Sequence, residues 1–161
     1  MNRAAMTSRV KPIPDRYRGA VPYLCVKDAA RALEFYEKAF GATEVMRIQQ
    51  PDGRIGHAEL RIGDAAIMIA GEFPELDFRS PGTLGGSPVT ILVYVEDVDA
   101  VVRQAEAAGA TVTRPVADQF YGDRNGSLRD PFGQCWSLAT HIEDIPPEEM
   151  LRRAASPAGN A

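Results

Sequence analysis

The fold is decided by the stretch Val21-Pro-Tyr-Leu-Cys-Val-Lys-Asp28, which is followed by the segment 29–40 and by Gly41-Ala-Thr43. The first run is rich in β-forming residues, and its final Asp is suited to the N-cap of a helix. Apolar residues recur at helical spacing in 29–40, and Gly41 is suited to the helix exit. The stretch therefore predicts a strand followed by an amphipathic helix that packs one face on a sheet.

The same arrangement occurs a second time in the chain. Val89-Thr-Ile-Leu-Val-Tyr-Val-Glu-Asp97 is again a β-rich run ending in Asp, and the segment 98–108 again has helical periodicity before Gly109-Ala-Thr111. Two copies of one supersecondary unit are a strong indication of an internal repeat.

The later part of each half also matches. In the first half we predict two strands around a Gly-Asp turn, from His57-Ala-Glu-Leu-Arg-Ile-Gly-Asp64 and the segment 65–70. In the second half we predict two strands around a Pro-Phe-Gly turn, from Ser127-Leu-Arg-Asp-Pro-Phe-Gly133 and the segment 134–140. The remaining strands are predicted at 44–49 and 111–114. Each half is therefore β-α-β-β-β, and we expect an α+β fold in which the tandem repeats form a curled mixed sheet around a cleft.

Composition changes and turn residues divide the chain into five parts. They are a disordered leader (1–18), a first module (19–70), a linker rich in Gly, Pro and charge (71–88), a second module (89–141), and a C-terminal helix and tail (142–161). The helix is expected from Pro147 to Ala155, because Pro-Pro-Glu-Glu is a good helix start.

The overall composition excludes several classes of partner. The net charge is −4 without a long basic run, which argues against nucleic acid. No apolar stretch is long enough to span a membrane, and none resembles a secretory signal. Cys25 and Cys135 lack a CxxC spacing, so we expect reduced thiols in a cytoplasmic protein.

The chain resembles the vicinal oxygen chelate superfamily in its tandem units, in the sequence pattern of Val26 to Ala42 and in the turn Asp130-Pro-Phe-Gly133. That superfamily includes glyoxalase I, extradiol dioxygenases, and bleomycin and fosfomycin resistance proteins. The resemblance extends from about Arg18 to His141 and implies a glyoxalase/bleomycin-resistance-like fold. Gly56-His-Ala-Glu-Leu60 and Tyr121-Gly-Asp-Arg124 are similar to motifs of its PhnB-like subgroup.

The resemblance also implies four metal-ligand positions, one on the first and one on the fourth strand of each half. They correspond to Val21, Met68, Thr90 and Ser137. Val has no lone pair, Met is a soft ligand, and neutral hydroxyls are weak donors, so this set is unsuited to a divalent first-row metal. We therefore expect no metal and no other cofactor.

Strand alternation predicts which side chains line the cleft. The expected ligand-binding residues on the strands are Tyr23, Cys25, Met68, Thr90, Leu92, Tyr94, Cys135 and Ser137. The opposite faces of the same strands are uniformly apolar and should pack beneath the helices. A cleft lined in this way suits a small, mostly apolar or aromatic molecule.

Two polar groups are candidates for chemistry. His57 and Glu59 share a strand face, as expected for a general base with an orienting carboxylate, for two ligands of a displaced metal site, or for a cross-strand or dimer-interface polar pair. Tyr121 and Arg124 in the second half could bind the polar headgroup of a ligand, or Arg124 could instead hold a loop through an Asp.

Three hypotheses about function remain open. The first is a small-molecule-binding protein without a metal. The second is a lyase or isomerase that uses a displaced site at His57 and Glu59. The third is a non-catalytic accessory domain that dimerises. Exposed sheet edges and the long linker 71–88 favour a homodimer in each case, because a second chain can cover the edges.

Overall fold

The computed structural model describes residues 10–156, which contain the two predicted modules. The first module comprises β1 (Tyr23–Cys25), α1 (Ala29–Phe40), β2 (Thr43–Gln49), β3 (Ile55–Ile62) and β4 (Ala65–Ala70). The second comprises β5 (Thr90–Tyr94), α3 (Val98–Ala108), β6 (Thr111–Asp118), β7 (Asp123–Arg129) and β8 (Cys135–His141). The short helix α2 (Pro81–Leu84) lies between the modules, and α4 (Pro147–Ala154) follows the second.

Each module forms its own four-stranded mixed sheet. The strand orders are β1-β4-β3-β2 and β5-β8-β7-β6, with the first pair of each sheet parallel and the other pairs antiparallel. Tyr23 lies opposite Met68 in one sheet, and Leu92 lies opposite Ser137 at the corresponding place in the other. The α+β class and the repeated β-α-β-β-β unit are therefore confirmed.

The two long helices begin and end as the repeat predicts. The side chain of Asp28 accepts a hydrogen bond from the backbone N–H of the third residue of α1, and Asp97 does the same for α3. Gly41 and Gly109 end these helices with φ of 63° and 118°, values that favour a residue without Cβ.

The helix-covered faces of both sheets share one hydrophobic core. Ile69 of the first sheet and Trp136 and Leu138 of the second have no exposed surface, as the alternation predicted. Tyr36 and Phe40 of α1 pack on Trp136, with ring centroids 5.3 and 4.6 Å apart. The opposite faces of the two sheets consequently point away from this core.

The repeats form two four-stranded sheets that are not joined into one continuous sheet. Within residues 10–156, β1 and β5 remain edge strands of separate sheets. The outward faces, which we call the open faces, expose Tyr23 by 48% and Leu92 by 53%. The reason is that α1 packs against the second module, so the sheets meet through their helix-covered sides.

A buried carboxylate fixes the two modules together. Asp130 Oδ2 accepts hydrogen bonds from the Tyr36 hydroxyl at 2.6 Å and from the Trp136 indole N–H at 2.9 Å. Its Oδ1 accepts from the backbone N–H groups of Phe132 and Gln134, both at 2.9 Å. Burial raises the pKa of Asp130, although these four donors all act to lower it.

The segments outside the modules are more structured than the sequence indicated. The linker 71–88 contains a 3-10 turn at Pro74–Leu76 as well as α2. Strand β6 extends beyond the predicted 111–114, and its backbone is irregular around Pro115, which an edge strand tolerates. Residues 10–18 form no helix or strand, but Tyr17 contacts the first sheet, while residues 1–9 of the predicted leader lie outside the described range.

Among the described residues, none of the helices is both long and apolar enough to cross a lipid bilayer.

Candidate functional site

The open face of the first sheet brings together four of the predicted residues. Tyr23 on β1 is opposite Met68 on β4, and Met68 is opposite Glu59 on β3. Paired residues in neighbouring strands point to the same side of a sheet, and His57 joins them because it lies two residues before Glu59. The register thus places a Tyr, a Met, a His and a carboxylate on one surface.

The polar side chains of this face form a connected chain of hydrogen bonds. The Tyr23 hydroxyl and His57 Nδ1 are 2.7 Å apart, and His57 Nε2 is 3.4 Å from Glu59 Oε1. Glu59 is only 8% exposed and also accepts a hydrogen bond from the Tyr17 hydroxyl. The Tyr17 hydrogen bond is the largest cause of a lowered Glu59 pKa, to which His57 and Arg16 also contribute. Glu59 is therefore ionised at neutral pH and orients the imidazole.

Sequence reasoning missed Tyr17 and Arg16 at this site. Arg16 Nη1 lies 3.8 Å from Glu59 Oε2, and the Arg16 guanidinium also lies over the Tyr17 ring. The contact with Glu59 joins residues more than forty positions apart in a segment without periodicity. No local sequence signal could have indicated it.

Two apolar residues of β2 complete the open face of the first sheet. Met46 is opposite Glu59 and Ile48 is opposite His57, so both share the face of the polar pair. They are 36% and 53% exposed. Strand alternation, applied to β2 as it was to the other strands, would have identified them. The His57–Glu59 pair thus lies between apolar side chains on both neighbouring strands.

The open face of the second sheet holds the other predicted strand residues. They are Thr90, Leu92 and Tyr94 on β5, and Cys135 and Ser137 on β8. Each group belongs to its own sheet, but Thr90 lines one groove together with Tyr23 and Cys25 of the first sheet.

A second carboxylate–histidine cluster lies on this face. Asp123 Oδ2 accepts a hydrogen bond from the Tyr94 hydroxyl at 2.5 Å, and Asp123 Oδ1 is 2.8 Å from His141 Nδ1. His141 Nε2 lies 2.8 Å from Asp144 Oδ1 on the chain that leads to α4. Burial acts to raise the pKa of Asp123, but the bonds from Tyr94 and His141 outweigh it and the pKa is lowered. The two carboxylates, Asp123 first, raise the pKa of His141.

The predicted headgroup residues lie apart from each other. Arg124 lies on the helix-covered side of β7, where it pairs with Asp99 of α3 at 2.7 Å and with Asp118 at 2.8 Å. Its guanidinium is therefore already paired with two Asp carboxylates, one on α3 and one at the end of β6. The Tyr121 hydroxyl accepts a hydrogen bond from the side-chain amide of Asn125 at 2.5 Å.

The two cysteines are free thiols in different surroundings. Cys25 is buried beneath the start of the linker, and burial raises the pKa of its thiol to about 11. Such a thiol is protonated at neutral pH and is not a nucleophile. Cys135 is half-buried, with Sγ 4.0 Å from the carbonyl oxygen of Ser87.

The residues at the four implied metal-ligand positions do not fit a divalent metal. Val21 precedes β1, Met68 lies on β4, and Thr90 and Ser137 lie on β5 and β8, so together they offer one thioether and two neutral hydroxyls. Across residues 10–156, there is no group of three or more His, Cys, Asp or Glu side chains that could hold a metal ion.

A groove of about 510 Å³ runs between β1 and β5, where the two open faces adjoin. Its wall is mostly apolar and includes Val21, Tyr23, Leu84 and Val89. The side chain of Gln134 also lines it and donates a hydrogen bond to the Cys25 carbonyl oxygen at 2.9 Å, which ties the modules together here. This concave surface has the volume and polarity of a small-molecule site.

The His141 cluster predicts a pH-dependent stability. Because the folded-state pKa of His141 is raised above 6.5, its stabilising contribution is fully present below that value and is lost as pH rises through the raised pKa. We expect the melting temperature of the wild type to fall over this range, and to fall less in His141→Gln. Melting curves from about pH 6 to about pH 9 test this. The matched control His57→Gln should keep the wild-type decline, and an equal decline in His141→Gln would contradict the assignment.

A family model described as Glyoxalase/Bleomycin resistance protein/Dioxygenase superfamily matches residues 16–138 of the chain. An uncharacterized protein of Mycobacterium bovis is 43% identical over 138 residues, which cover 84% of this chain and 91% of that protein.

Solved structures are similar at the level of the whole module pair. TioX from Micromonospora sp. ML1 is 27% identical with a TM-score of 0.60, covering 80% of this chain and all of that one. A gene product of Arabidopsis thaliana is 28% identical with a TM-score of 0.63, covering 76% of this chain and 98% of that one.

Proposed function

The chain belongs to the Glyoxalase/Bleomycin resistance protein/Dioxygenase superfamily, and from this premise we propose that it binds a small, mostly apolar or aromatic molecule on its open faces. The observation that carries the proposal is the exposure of large apolar side chains on strands whose other sides form the core. Tyr23, Leu92 and Tyr94 are 48%, 53% and 57% exposed. Exposed contiguous apolar surface beside a concave groove is typical of a binding site.

The polar side chains of the first open face can orient the bound ligand. A ligand lying across Met68 and Ile48 would meet the Tyr23 hydroxyl and the His57–Glu59 pair beneath it. A few fixed hydrogen-bonding groups among apolar contacts determine how a small molecule binds. We therefore expect the ligand to carry one hydrogen-bonding group on an apolar body.

We propose that binding needs no divalent metal. Within residues 10–156 the side chains offer no cluster of strong ligands, and the positions implied by the family hold Val21, Met68, Thr90 and Ser137. The motifs Gly56–Leu60 and Tyr121–Arg124 support placement in the PhnB-like subgroup, and the two free thiols support a cytoplasmic location.

We further propose that the active unit is a homodimer. Each chain has two open faces and two edge strands, β1 and β5, beside the groove. A two-fold axis that brings the first sheet of one chain against the second sheet of its partner would cover all four open faces at once. The site is then built from both chains.

Light scattering should give a particle of about twice the chain mass of 17.5 kDa. Leu92→Arg places a charge on the exposed surface of β5 and should shift the mass toward the monomer, while Leu92→Met should leave it unchanged. A monomeric wild type would rule out the dimer.

A lyase or isomerase reaction is the second candidate function. It is favoured by the contact of 2.7 Å between the Tyr23 hydroxyl and His57 Nδ1, with Glu59 on the other side of the ring, because these contacts orient the imidazole as a general base requires. The third candidate function is that of an accessory domain that only dimerises. In that case the open faces bind no ligand. Titration with a neutral, polarity-sensitive aromatic dye separates binding from this third candidate, since saturable binding requires a formed site.

A further inference from the structure

Three basic residues line one cavity beside the linker. They are Lys27, Arg31 and Arg129, and the cavity, which we call the basic pocket, has a volume of about 360 Å³. Lys27 follows β1, Arg31 lies in the first turn of α1, and Arg129 ends β7. Ser80 and Gly82 of the linker, the acidic residues Asp28 and Asp130, and the turn 131–133 complete the lining, so the pocket joins both modules and the segment between them.

The basic side chains of this pocket make no ion pair within 4.0 Å in the described part of the chain. Across residues 10–156, most Lys and Arg side chains lie within 4.0 Å of a carboxylate oxygen. The exceptions in that range are Lys27, Arg31, Arg103, Arg114 and Arg129. Three of these exceptions line one pocket.

The carboxylates around the pocket are already bound to neutral donors. Asp28 caps α1 by accepting the backbone N–H of Arg31 at 3.1 Å. Asp130 faces inward to the buried donors that join the modules. Glu72, whose pKa the charge of Lys27 helps to lower, accepts hydrogen bonds from the backbone N–H and the hydroxyl of Ser80. The pocket therefore has a surplus of charged donors.

Two glycines allow the walls of the pocket to approach each other. A Cβ at Gly82 would lie 3.6 Å from Lys27 Cε, and a Cβ at Gly133 would lie 2.9 Å from the side chain of Pro81. Gly133 also has a φ of +89°, which disfavours any other residue. The linker backbone thus packs against the β7–β8 turn and beside the side chain of Lys27.

We propose that the basic pocket binds a phosphate dianion, either free phosphate or the phosphate group of a monoester. Two guanidinium groups and one ammonium group supply charge-assisted donors, and Arg has the fork geometry that matches phosphate oxygens. The bound phosphate group replaces the missing counterion and links α1, the linker and β7. The basic pocket shares no lining residue with the groove between β1 and β5.

The test uses inorganic phosphate and phenyl phosphate, titrated calorimetrically into the full chain at constant ionic strength. We expect saturable binding that weakens about tenfold in Arg129→Gln and in Arg31→Gln, because each removes a charge-assisted donor. The matched controls Arg103→Gln and Arg114→Gln remove exposed, unpaired guanidinium groups elsewhere and should bind as the wild type does. Melting curves without phosphate establish that all four variants are folded.

Equal affinity for the two probes assigns free phosphate as the ligand, and tighter binding of phenyl phosphate assigns a monoester. The proposal is overturned if neither probe binds saturably, or if Arg114→Gln weakens binding as much as Arg129→Gln does. The second outcome would show only a general attraction of anions to positive charge.

Discussion

Replacing Asp130 by Ala is expected to lower the free energy of unfolding by about 3–5 kcal/mol, since each buried donor left without an acceptor costs about 1–3 kcal/mol. The carboxylate is 4% exposed and accepts hydrogen bonds from the Tyr36 hydroxyl, the Trp136 indole N–H and two backbone N–H groups. All four donors lie at the contact between the modules. The cost of burying the carboxylate itself, which raises its pKa, offsets only part of this loss.

Urea denaturation of the wild type and the variant measures the effect. Tyr36→Phe removes a single donor and should cost about 1 kcal/mol, because the other three donors keep their acceptor. Asp64→Ala is the matched surface control, since its fully exposed carboxylate makes only a long contact with Arg61. A loss for Asp130→Ala no larger than that for Asp64→Ala would show that this carboxylate does not hold the modules together.

Two neighbouring residues of β4 are expected to respond in opposite ways to the same change. Ile69 has no exposed surface and lies in the shared core, so Ile69→Arg buries an unpaired charge and should abolish folding or cost several kcal/mol. Met68 is half-buried on the open face, where an Arg stem can lie along the surface with its head in water. Met68→Arg should therefore lower the melting temperature much less than Ile69→Arg does, although Met68 lies on a face that the proposed dimer covers. Similar destabilisation in both variants would show that the open face is packed core.

The side of the sheet to which each strand residue points could be predicted from the sequence, because alternating side chains leave only two possible assignments of residues to the two faces. A shift by one residue would have exposed Ile69 and Leu138 and buried Met68 and Ser137, which the apolar pattern did not allow. The caps at Asp28 and Asp97 were predictable for a similar reason, since they depend on local hydrogen bonds.

The relation between the two sheets could not be predicted in this way. It depends on contacts such as that of Tyr36 with Asp130, which are 94 residues apart and have no local signature. The same is true of Tyr17 at Glu59, and of the choice of Asp99 and Asp118 as partners for Arg124. Periodicity identifies the apolar face of an element, but several elements present such faces and the sequence does not say which ones meet.

The central claim is that the open faces bind a small apolar or aromatic molecule. Its most direct test is a fluorescence titration of a neutral aromatic dye into the wild type and into folded Met68→Arg, since a neutral dye has no charge for the basic pocket to attract. The account predicts saturable binding to the wild type and its loss in Met68→Arg, because the charged head displaces an apolar contact on the open face. No saturable binding to the wild type, or unchanged binding to Met68→Arg, would contradict it.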